Sequence, residues 1–431
     1  MELVWNLQMG GERGKLQGVL DVASDEDDTI YIVGRCDGQA NVLGTTASLA
    51  CTQEGANGFV ARLDERGTPL WGAYLNSTVL ADRLAVAVGP DDSVWIAGAF
   101  SGMAASLSLS DCVPVTTNGG TDGFVAHLDP TGLCIGQIAV LGGGLEDYAA
   151  DIVALPNGDV AVTGRFHGTM LVQGEDLPTD LANGDTFVVV LNDMGQRVDM
   201  ARLAAGGVDE PDVRIAYYGE SLFVAGTFEG PFDERSPPGM LRDVFIARLE
   251  AANLVLQDLA MFGGVQRDRL LDVAVTGTGP ALLVAFEAGH LTVGNQTLTS
   301  DAKNLVAIGL DAELYPTFAL DLQGSVAEGS LVADPTSNDL LFAVTSIGGL
   351  ADDVQSDTGR DVYLGRVGCK GQLRWLQRLG DDDAQDGKGA AVLGDGSLVA
   401  AGEFAGHILF GDNDTTAGTG VDGFVARYRP K

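Results

Sequence analysis

Two short acidic clusters are the residues of this chain whose types and spacing point most directly to chemistry. One contains Asp209, Glu210 and Asp212, and the other contains Asp381, Asp382, Asp383 and Asp386. Loops rich in carboxylate oxygens can hold Ca²⁺, although neither cluster has the spacing of an EF-hand loop. The calcium candidates are therefore Asp209, Asp212, Asp381, Asp383 and Asp386, with a solvated acidic loop as the alternative. We expect that no cofactor is required and that calcium is the one ion to test.

An Asp or Asn recurs at the start of one phrase, written "NGFVARL" at 57–63 and "DGFVAHL" at 122–128. The seven copies start at Asn57, Asp122, Asp185, Asp243, Asn304, Asp361 and Asp422. A ring of catalytic acids or metal ligands would need carboxylates, whereas asparagine keeps only the side-chain oxygen acceptor. We therefore expect a structural role, in which these side chains accept hydrogen bonds from nearby backbone N–H groups.

Catalytic motifs are not visible in this sequence. No GxSxG elbow or glycine-rich phosphate loop stands in the required context. The four histidines are scattered and none lies near a cysteine pair, which argues against zinc. Acid pairs could serve a glycosidase, but the separation of two carboxylates is a tertiary quantity. Trp5, Trp71 and Trp375 share one position in a repeated unit, so packing explains them better than sugar stacking.

The five cysteines are too few for a disulfide scaffold, and none forms a CxxC pair. Cys36 and Cys51 fall in one loop and can bridge in an oxidising compartment. Cys112, Cys134 and Cys369 are assigned to different repeats and are expected to be free thiols.

The chain of 431 residues carries 60 acidic and 25 basic residues, for a formal net charge of −35. Nucleic acids and anionic membrane surfaces attract clustered Lys and Arg, so the charge argues against both partners. No apolar window reaches the length of about 18 residues that a membrane span requires. The N-terminus "MELVWNLQMGG" lacks a basic region followed by an apolar one, so no signal peptide is visible, as in a mature form whose export signal has been removed.

Self-similarity organises the whole chain. The Asp/Asn phrase returns every 57 to 65 residues. A second anchor is an apolar run such as "TIYIVG", which ends at Gly34, Gly98, Gly164, Gly226 and Gly402, with weaker copies ending at Phe286 and Thr345. Each unit reads as four short strands: A ("LAVAV" at 84–88), B ("VWIAG"), C ("GFVARL") and D ("LWGAYL").

Units of this kind predict an all-β fold, a single seven-bladed β-propeller spanning residues 1–431 with four antiparallel strands per blade. The chain begins on a D-type strand at 3–9 and ends on a C-type strand at 423–429. We expect these strands to pair and close the ring, because both would otherwise expose unpaired edges. A sandwich or an open solenoid is the alternative, but a solenoid would need polar capping units at its ends.

The phrases "LGG" after strand D, "GDVAVTGRF" across strand B and "DGFVAHLDPTG" at strand C resemble the bacterial seven-bladed propeller repeat, abbreviated SBBP. Kelch repeats also have glycine pairs, but after a different strand. The resemblance implies a propeller fold and an exported setting, which is extracellular, on the bacterial cell surface or periplasmic. It supplies no catalytic motif.

In such a propeller the A–B and C–D turns share one face, which we call the tight-turn face, and the B–C and D–A connections share the long-loop face. The predicted partner-binding residues on the long-loop face are Asp147, Asp209, Glu210, Asp268, Asp381, Asp382 and Asp383. The sequence thus favours a non-enzymatic interaction module that presents an acidic face to a protein or glycan, as a monomer or within a larger assembly. A carbohydrate-active enzyme with carboxylates near the axis and a structural spacer in a surface assembly are the alternatives.

Overall fold

A computed structural model describes the chain apart from residues 12–16, 37–39, 42–56, 77–78, 103–104, 180–183, 204–212, 230–241, 265, 288, 301–302, 352–358, 381–382, 412 and 431. Residues 11, 40–41, 79–83, 413–414 and 418–419 are described by their backbone. The described residues form strands joined by turns. No helix among them is long and apolar enough to cross a membrane.

The chain starts with β1 (Glu2–Gly11) and continues through the blades in order. The stretch of blades 1 to 3 contains β2 (Gln17–Ser24), β3 (Ile30–Cys36), β4 (Ala40–Asn41), β5 (Asn57–Leu63), β6 (Pro69–Asn76), β7 (Val79–Val88), β8 (Val94–Ser101), β9 (Ser106–Leu109), β10 (Val115–Thr116), β11 (Thr121–Leu128), β12 (Ala139–Gly143), β13 (Tyr148–Ala154), β14 (Val160–Phe166), β15 (Thr169–Val172), β16 (Glu175–Pro178), β17 (Asp185–Leu191) and β18 (Arg197–Leu203). Blades 4 and 5 contain β19 (Val213–Tyr218), β20 (Ser221–Glu229), β21 (Arg242–Glu250), β22 (Leu256–Phe262), β23 (Asp268–Thr276), β24 (Gly279–Phe286), β25 (Gly289–Val293), β26 (Gln296–Ser300), β27 (Asn304–Leu310) and β28 (Pro316–Asp321). Blades 6 and 7 contain β29 (Ser325–Ala333), β30 (Leu340–Ile347), β31 (Arg360–Val367), β32 (Leu373–Leu379), β33 (Gln385–Val392), β34 (Leu398–Phe410) and β35 (Asn413–Arg429).

Four strands form each of the seven antiparallel blades in the order A-B-C-D, and shorter hairpin strands lie outside this order. The blades are β2-β3-β5-β6, β7-β8-β11-β12, β13-β14-β17-β18, β19-β20-β21-β22, β23-β24-β27-β28, β29-β30-β31-β32 and β33-β34-β35-β1. Each A strand packs against the A strands of both neighbouring blades, and β33 packs against β2, which closes the circle. The prediction of a seven-bladed β-propeller is confirmed.

Both chain ends contribute to the last blade. Strand β1 pairs antiparallel with β35, from Leu3 opposite Tyr428 to Met9 opposite Gly423. Met9 is buried in the core between blades 7 and 1, beside Val425. The predicted pairing of residues 3–9 with the C-terminal strand is therefore confirmed, and it leaves neither terminal strand with an unpaired inner edge.

The glycine at the end of strand B lies close to a carbonyl oxygen of strand A and to the phenylalanine that faces it on strand C. A Cβ at Gly34 would lie 2.2 Å from the carbonyl oxygen of Gly18. Gly34 pairs with Phe59, and a Cβ at Gly34 would come within 2.6 Å of that ring. The same pairing joins Gly164 to Phe187 and Gly402 to Phe424. Two residues after the glycine a second phenylalanine meets the first ring edge to face, as Phe166 meets Phe187 with centroids 6.4 Å apart.

The pairing shifts the repeat anchors of blades 5 and 6. Asn304 faces Phe286, so Phe286 takes the place of the second phenylalanine and Val284 takes the place of the glycine. In blade 6 the equivalent residue is Val344, which faces Tyr363, and not Thr345. The end of an apolar run locates the glycine position only approximately, whereas backbone pairing fixes the register.

Several B–C connections carry an additional hairpin that lies on the outer wall of the ring. The hairpin β9–β10 pairs with β6 through Leu109 and Leu75, and β15–β16 pairs with β12 through Val172 and Leu141. Each hairpin therefore covers the outermost strand of the preceding blade, which protects an otherwise open edge. These insertions build the wall and do not extend the long-loop face.

The tip of β9–β10 reaches the tight-turn face, where Cys112 forms a disulfide with Cys134 of the C–D turn. The expectation that these two cysteines are free thiols is wrong, because both belong to blade 2 and the hairpin folds back over its own turn. Among the described residues Cys369 is the free cysteine. Cys36 is buried and disulfide-bonded. Cys51 lies outside the described residues, so the predicted Cys36–Cys51 bridge stays a prediction.

Tight-turn contacts join neighbouring blades. The indole N–H of Trp71 in blade 1 donates a hydrogen bond to the carbonyl of Pro130 in blade 2 at 2.8 Å, and Gly132 packs on the same ring. Trp5 in blade 7 makes the equivalent bond to Glu65 in blade 1 at 2.9 Å. Blade packing thus accounts for these tryptophans.

Candidate functional site

The acidic clusters are only partly within the described structure. Asp209, Glu210, Asp212, Asp381 and Asp382 lie outside it. Asp383 accepts a hydrogen bond from the backbone N–H of His407 at 3.0 Å, and Asp386 forms an ion pair with Arg360 at 2.7 Å. In the part of the chain that the structure describes, no group of three or more His, Cys, Asp or Glu side chains could hold a metal ion.

Asp147 and Asp268 were predicted to face a partner, but the structure buries both side chains completely. Asp147 accepts hydrogen bonds from the backbone N–H groups of Gly143 at 2.6 Å and His167 at 2.8 Å. Asp268 accepts one from the N–H of Glu287 at 3.3 Å. Burial raises the pKa of Asp147 to about 6 and that of Asp268 to about 7. Both carboxyls therefore hold loops in place and do not form part of the exposed face.

Several of the strand-C aspartates lie beside a glycine at or just after the end of strand D. A Cβ at Gly10 would lie 2.6 Å from the carboxylate of Asp422, and Gly142 and Gly263 lie in the same way against Asp122 and Asp243. Asp122 also accepts a hydrogen bond from the backbone N–H of Asn118. The "LGG" phrase thus leaves space for the side chain that opens strand C, and these contacts favour the structural role expected for the whole set.

Three aspartates that the sequence analysis did not single out line the axis of the ring. Asp21, Asp151 and Asp272 follow β-bulges in the innermost strands β2, β13 and β23. One oxygen of each accepts a hydrogen bond from the next backbone N–H at 2.8 Å. The other oxygen accepts from the innermost strand of the following blade, at Val86 (2.9 Å), Ile215 (2.8 Å) and Leu331 (2.7 Å). Blades 1, 3 and 5 are thereby joined to blades 2, 4 and 6.

Burial raises the pKa of these axial carboxyls. The pKa reaches about 7 for Asp21 and about 7 for Asp151, and it is also raised for Asp272. The backbone N–H groups lower it in each case, and the carboxylates of neighbouring aspartates raise it for Asp21 and Asp151. The repeated phrase "LDVA" at 20–23 and 271–274, an Asp inside an apolar strand, is the signal that could have identified them.

These aspartates line an axial cavity of about 260 Å³ that also contains cationic side chains. The guanidinium of Arg214 lies 3.8 Å from Asp272 Oδ1, and Lys388 forms an ion pair with Glu328. Arg269 also lines the cavity. The axis therefore carries both signs of charge and is not uniformly acidic.

A second cavity, of about 320 Å³, opens at the long-loop face between blades 5 and 6. We call it the basic pocket because four cations line it: Arg242, Arg267, Arg269 and Lys303. Two of them also face acids, since Arg242 lies 3.7 Å from Glu229 and Lys303 lies 3.1 Å from Glu287. Arg267 is exposed, and Arg269 borders the axial cavity as well.

A third cavity, of about 630 Å³, shares Lys303, Ser325 and Ile347 with the basic pocket. We call it the polar groove because neutral hydrogen-bonding side chains, among them Thr299, Asn304 and Gln323, line much of it. The three cavities thus adjoin one another from the axis outward across blades 5 and 6. Composition did not reveal this arrangement, because a basic pocket is unexpected in a chain of net charge −35.

The histidines do not converge with these cavities in the described structure. His127 is buried and stacks on Trp95 with ring centroids 3.7 Å apart. Its ring nitrogens bond to Ser93 Oγ at 2.7 Å and to the carbonyl of Asp193 at 2.8 Å. Burial lowers the pKa of His127, because the buried site disfavours the charged form of the ring.

Comparison with protein-family models and with curated proteins found no match to this chain. Among solved structures, a protein of unknown function from Dyadobacter fermentans is similar at 10% identity and a TM-score of 0.45, over 99% of both chains. The Dos1 propeller is similar at 9% identity and a TM-score of 0.44, over 99% of this chain and 96% of that one. An acylaminoacyl peptidase from Pyrococcus horikoshii is similar at 11% identity and a TM-score of 0.45, over 93% of this chain and 52% of that chain. Likeness at this level says nothing of function, and the chain is a seven-bladed β-propeller by its own strand pairing.

Proposed function

We propose that this protein is a non-enzymatic binding module that uses its long-loop face to engage a protein or glycan partner. The observation that carries the proposal is the run of three adjoining cavities from the axis across blades 5 and 6. Concave sites with a few convergent polar groups are where proteins usually bind ligands. We propose that this face is also acidic, because the sequence assigns Asp209, Glu210, Asp381 and Asp382 to D–A loops.

The scaffold suits recognition because it is rigid around the site. The axial aspartates are bonded to backbone N–H groups of two blades at once, which fixes the innermost strands. Loops and cavities held by such a frame keep their geometry on binding and lose little conformational entropy.

Capture by the immobilised protein from an envelope extract, with and without calcium, tests this proposal. We expect a retained partner to be lost from the double variant Arg267→Glu/Lys303→Glu, because two exposed cations of the basic pocket become acids. The matched control is Arg66→Glu/Lys370→Glu, which makes the same charge change on the tight-turn face. Equal retention by both variants, or retention of nothing, would contradict a binding role for the long-loop face. Loss of binding on calcium removal would support the calcium candidates.

The alternative of a carbohydrate-active enzyme is favoured by one observation. Asp21 and Asp151 share the axial cavity and have pKa values raised to about 7, a property of catalytic acids. Their oxygens are occupied by backbone N–H groups, which gives them a structural task instead. Turnover of a polysaccharide that is abolished by Asp151→Asn in a folded variant would establish the enzyme. A protein with neither capture nor turnover would be a structural spacer.

For the setting of the protein we propose an extracellular, cell-surface or periplasmic location in a bacterium, as a monomer or as part of a larger assembly. The Cys112–Cys134 disulfide supports this, since such bonds persist in oxidising compartments. The resemblance to the bacterial seven-bladed propeller repeat points the same way. Fractionation of the producing cells with antibody detection tests the location, and recovery in the cytoplasm would overturn it.

A further inference from the structure

We infer that the basic pocket and the polar groove together bind an acidic sugar, with the pocket taking its carboxylate and the groove its neutral neighbouring residue. This inference rests on the proposed binding function and specifies the ligand. Two features have to be explained together. One is a concentration of cations in an acid-rich chain, and the other is a hydrogen-bonding surface directly beside it, whose side chains are mostly neutral and include one carboxyl group, that of Asp321.

The charge of the basic pocket favours one anionic group. Four cations line it together with Asp268 and Glu287, and one of the four, Arg242, faces Glu229 at 3.7 Å. Asp268 is buried beneath the loop, and Glu287 already faces Lys303 at 3.1 Å. Positive charge therefore remains at the entrance, where Arg267 is exposed. An anion entering here gains charge-assisted hydrogen bonds, and guanidinium groups match the two oxygens of a carboxylate in particular.

The polar groove favours a neutral polyhydroxy body attached to that anion. Thr299, Gln323 and Ser325 offer hydroxyl and amide groups that can both donate and accept hydrogen bonds, as sugar hydroxyls require. Ile347, which is 44% exposed, stands where the pocket and the groove meet. An exposed apolar side chain at this point can cover the apolar face of a sugar ring.

Titration calorimetry with a trisaccharide of one galacturonic acid residue and two neutral galactose residues tests the inference directly. We expect it to bind at least about tenfold more tightly than its methyl ester, which keeps every hydroxyl and removes the charge. Inorganic phosphate and a neutral galactose trisaccharide are the two further ligands, and we expect both to bind more weakly than the acidic trisaccharide. The first isolates the anion and the second isolates the sugar.

The variant Arg267→Gln/Lys303→Gln should lose at least about tenfold in affinity for the acidic trisaccharide. Ile347→Ser should weaken both the acid and the ester, since it acts on the shared sugar ring. Arg66→Gln/Lys370→Gln on the tight-turn face should change the affinity for neither the acidic trisaccharide nor its ester. Unchanged thermal unfolding should show that each variant is folded.

Equal affinity for the acid and the ester, or binding of phosphate as tight as that of the trisaccharide, would overturn the inference. Failure of all saccharides to bind would also overturn it. The proposed binding function is judged separately by the capture experiment, because a partner lost from Arg267→Glu/Lys303→Glu would uphold that function even if no acidic sugar binds.

Discussion

The carboxylate of Asp272 in blade 5 accepts a hydrogen bond from the backbone N–H of Leu331 in blade 6 at 2.7 Å. Its second oxygen accepts from the N–H of Val273 at 2.8 Å, so one side chain serves two blades. We expect Asp272→Ala to lower the free energy of unfolding by about 2 kcal/mol, because both N–H groups lose their partner. Urea unfolding measures the change.

Asp176→Ala is the control for that prediction, since Asp176 is exposed on the outer hairpin. It should change the free energy of unfolding by less than about 0.5 kcal/mol. The loss in free energy of unfolding for Asp272→Asn should lie between those of Asp272→Ala and Asp176→Ala, because asparagine keeps one oxygen acceptor. An Asp272→Ala protein as stable as Asp176→Ala would show that the bond between blades contributes nothing.

Stability should depend on pH through the axial carboxyls. Burial raises the pKa of Asp21 from 3.8 to about 7. Between these values the folded state binds a proton that the unfolded state has lost, so unfolding becomes easier as pH rises. The contribution is complete below pH 3.8, declines through the interval and is gone above pH 7. We expect the stability of the wild type minus that of Asp21→Asn to decrease from pH 4.5 to about pH 7 and then level off. A difference that stays constant across this range would refute the assignment.

The N-terminal strand should be required for full stability. Removing residues 3–9 leaves the outer edge of β35 without a partner strand. It also removes Met9 from the core between blades 7 and 1. We expect the Tm to fall by at least about 5 °C. Adding a synthetic peptide of residues 2–11 should restore part of the loss, whereas a scrambled peptide should not. An unchanged Tm after the deletion would exclude the closure.

Two alanine substitutions separate the stability contributed by the contact between Trp71 and Gly132 from the cost of placing a side chain at a positive φ. Gly132 has φ of +87°, and a Cβ there would lie 3.1 Å from Trp71. Gly158 has φ of +88° with nothing within 4 Å of such a Cβ. Both Gly→Ala substitutions should cost about 1 kcal/mol for the backbone, and Gly132→Ala should cost more because the ring must move. Equal losses would mean that the packing between blades 1 and 2 adjusts freely.

The disulfide between Cys112 and Cys134 should contribute about 3 kcal/mol to stability, since it closes a loop of 22 residues. Cys112→Ser/Cys134→Ser should therefore unfold at a lower urea concentration than the wild type, while Cys369→Ser should not. Thiol labelling of the unreduced, unfolded protein followed by peptide mapping should mark Cys369 and leave the other two unmodified. Modification of Cys112 without reductant would show that the bond is absent.

Repeated local patterns determined the fold. Alternating apolar residues specify strands, and a unit that returns every 57 to 65 residues specifies blades, because each unit can bury its faces only against similar neighbours. The D-type start and C-type end of the chain were enough to predict that β1 pairs with β35. Local patterns did not determine the register in blades 5 and 6. An apolar run can be matched to its neighbours at more than one offset, whereas backbone hydrogen bonds allow only one.

The candidate site was decided by the tertiary structure alone. Arg267 precedes β23 and Lys303 precedes β27, and the pairing of both strands with β24 in blade 5 brings these side chains to one pocket. Blade 6 completes the pocket with Ser325 and Ile347. The sequence predicts Asp147 and Asp268 as exposed loop acids, whereas the structure buries both beneath the loops. Sequence periodicity reports which residues are strands and which face is apolar, because these properties repeat along the chain. Which polar side chains converge depends on ring closure and loop packing, and these join residues that no local pattern connects.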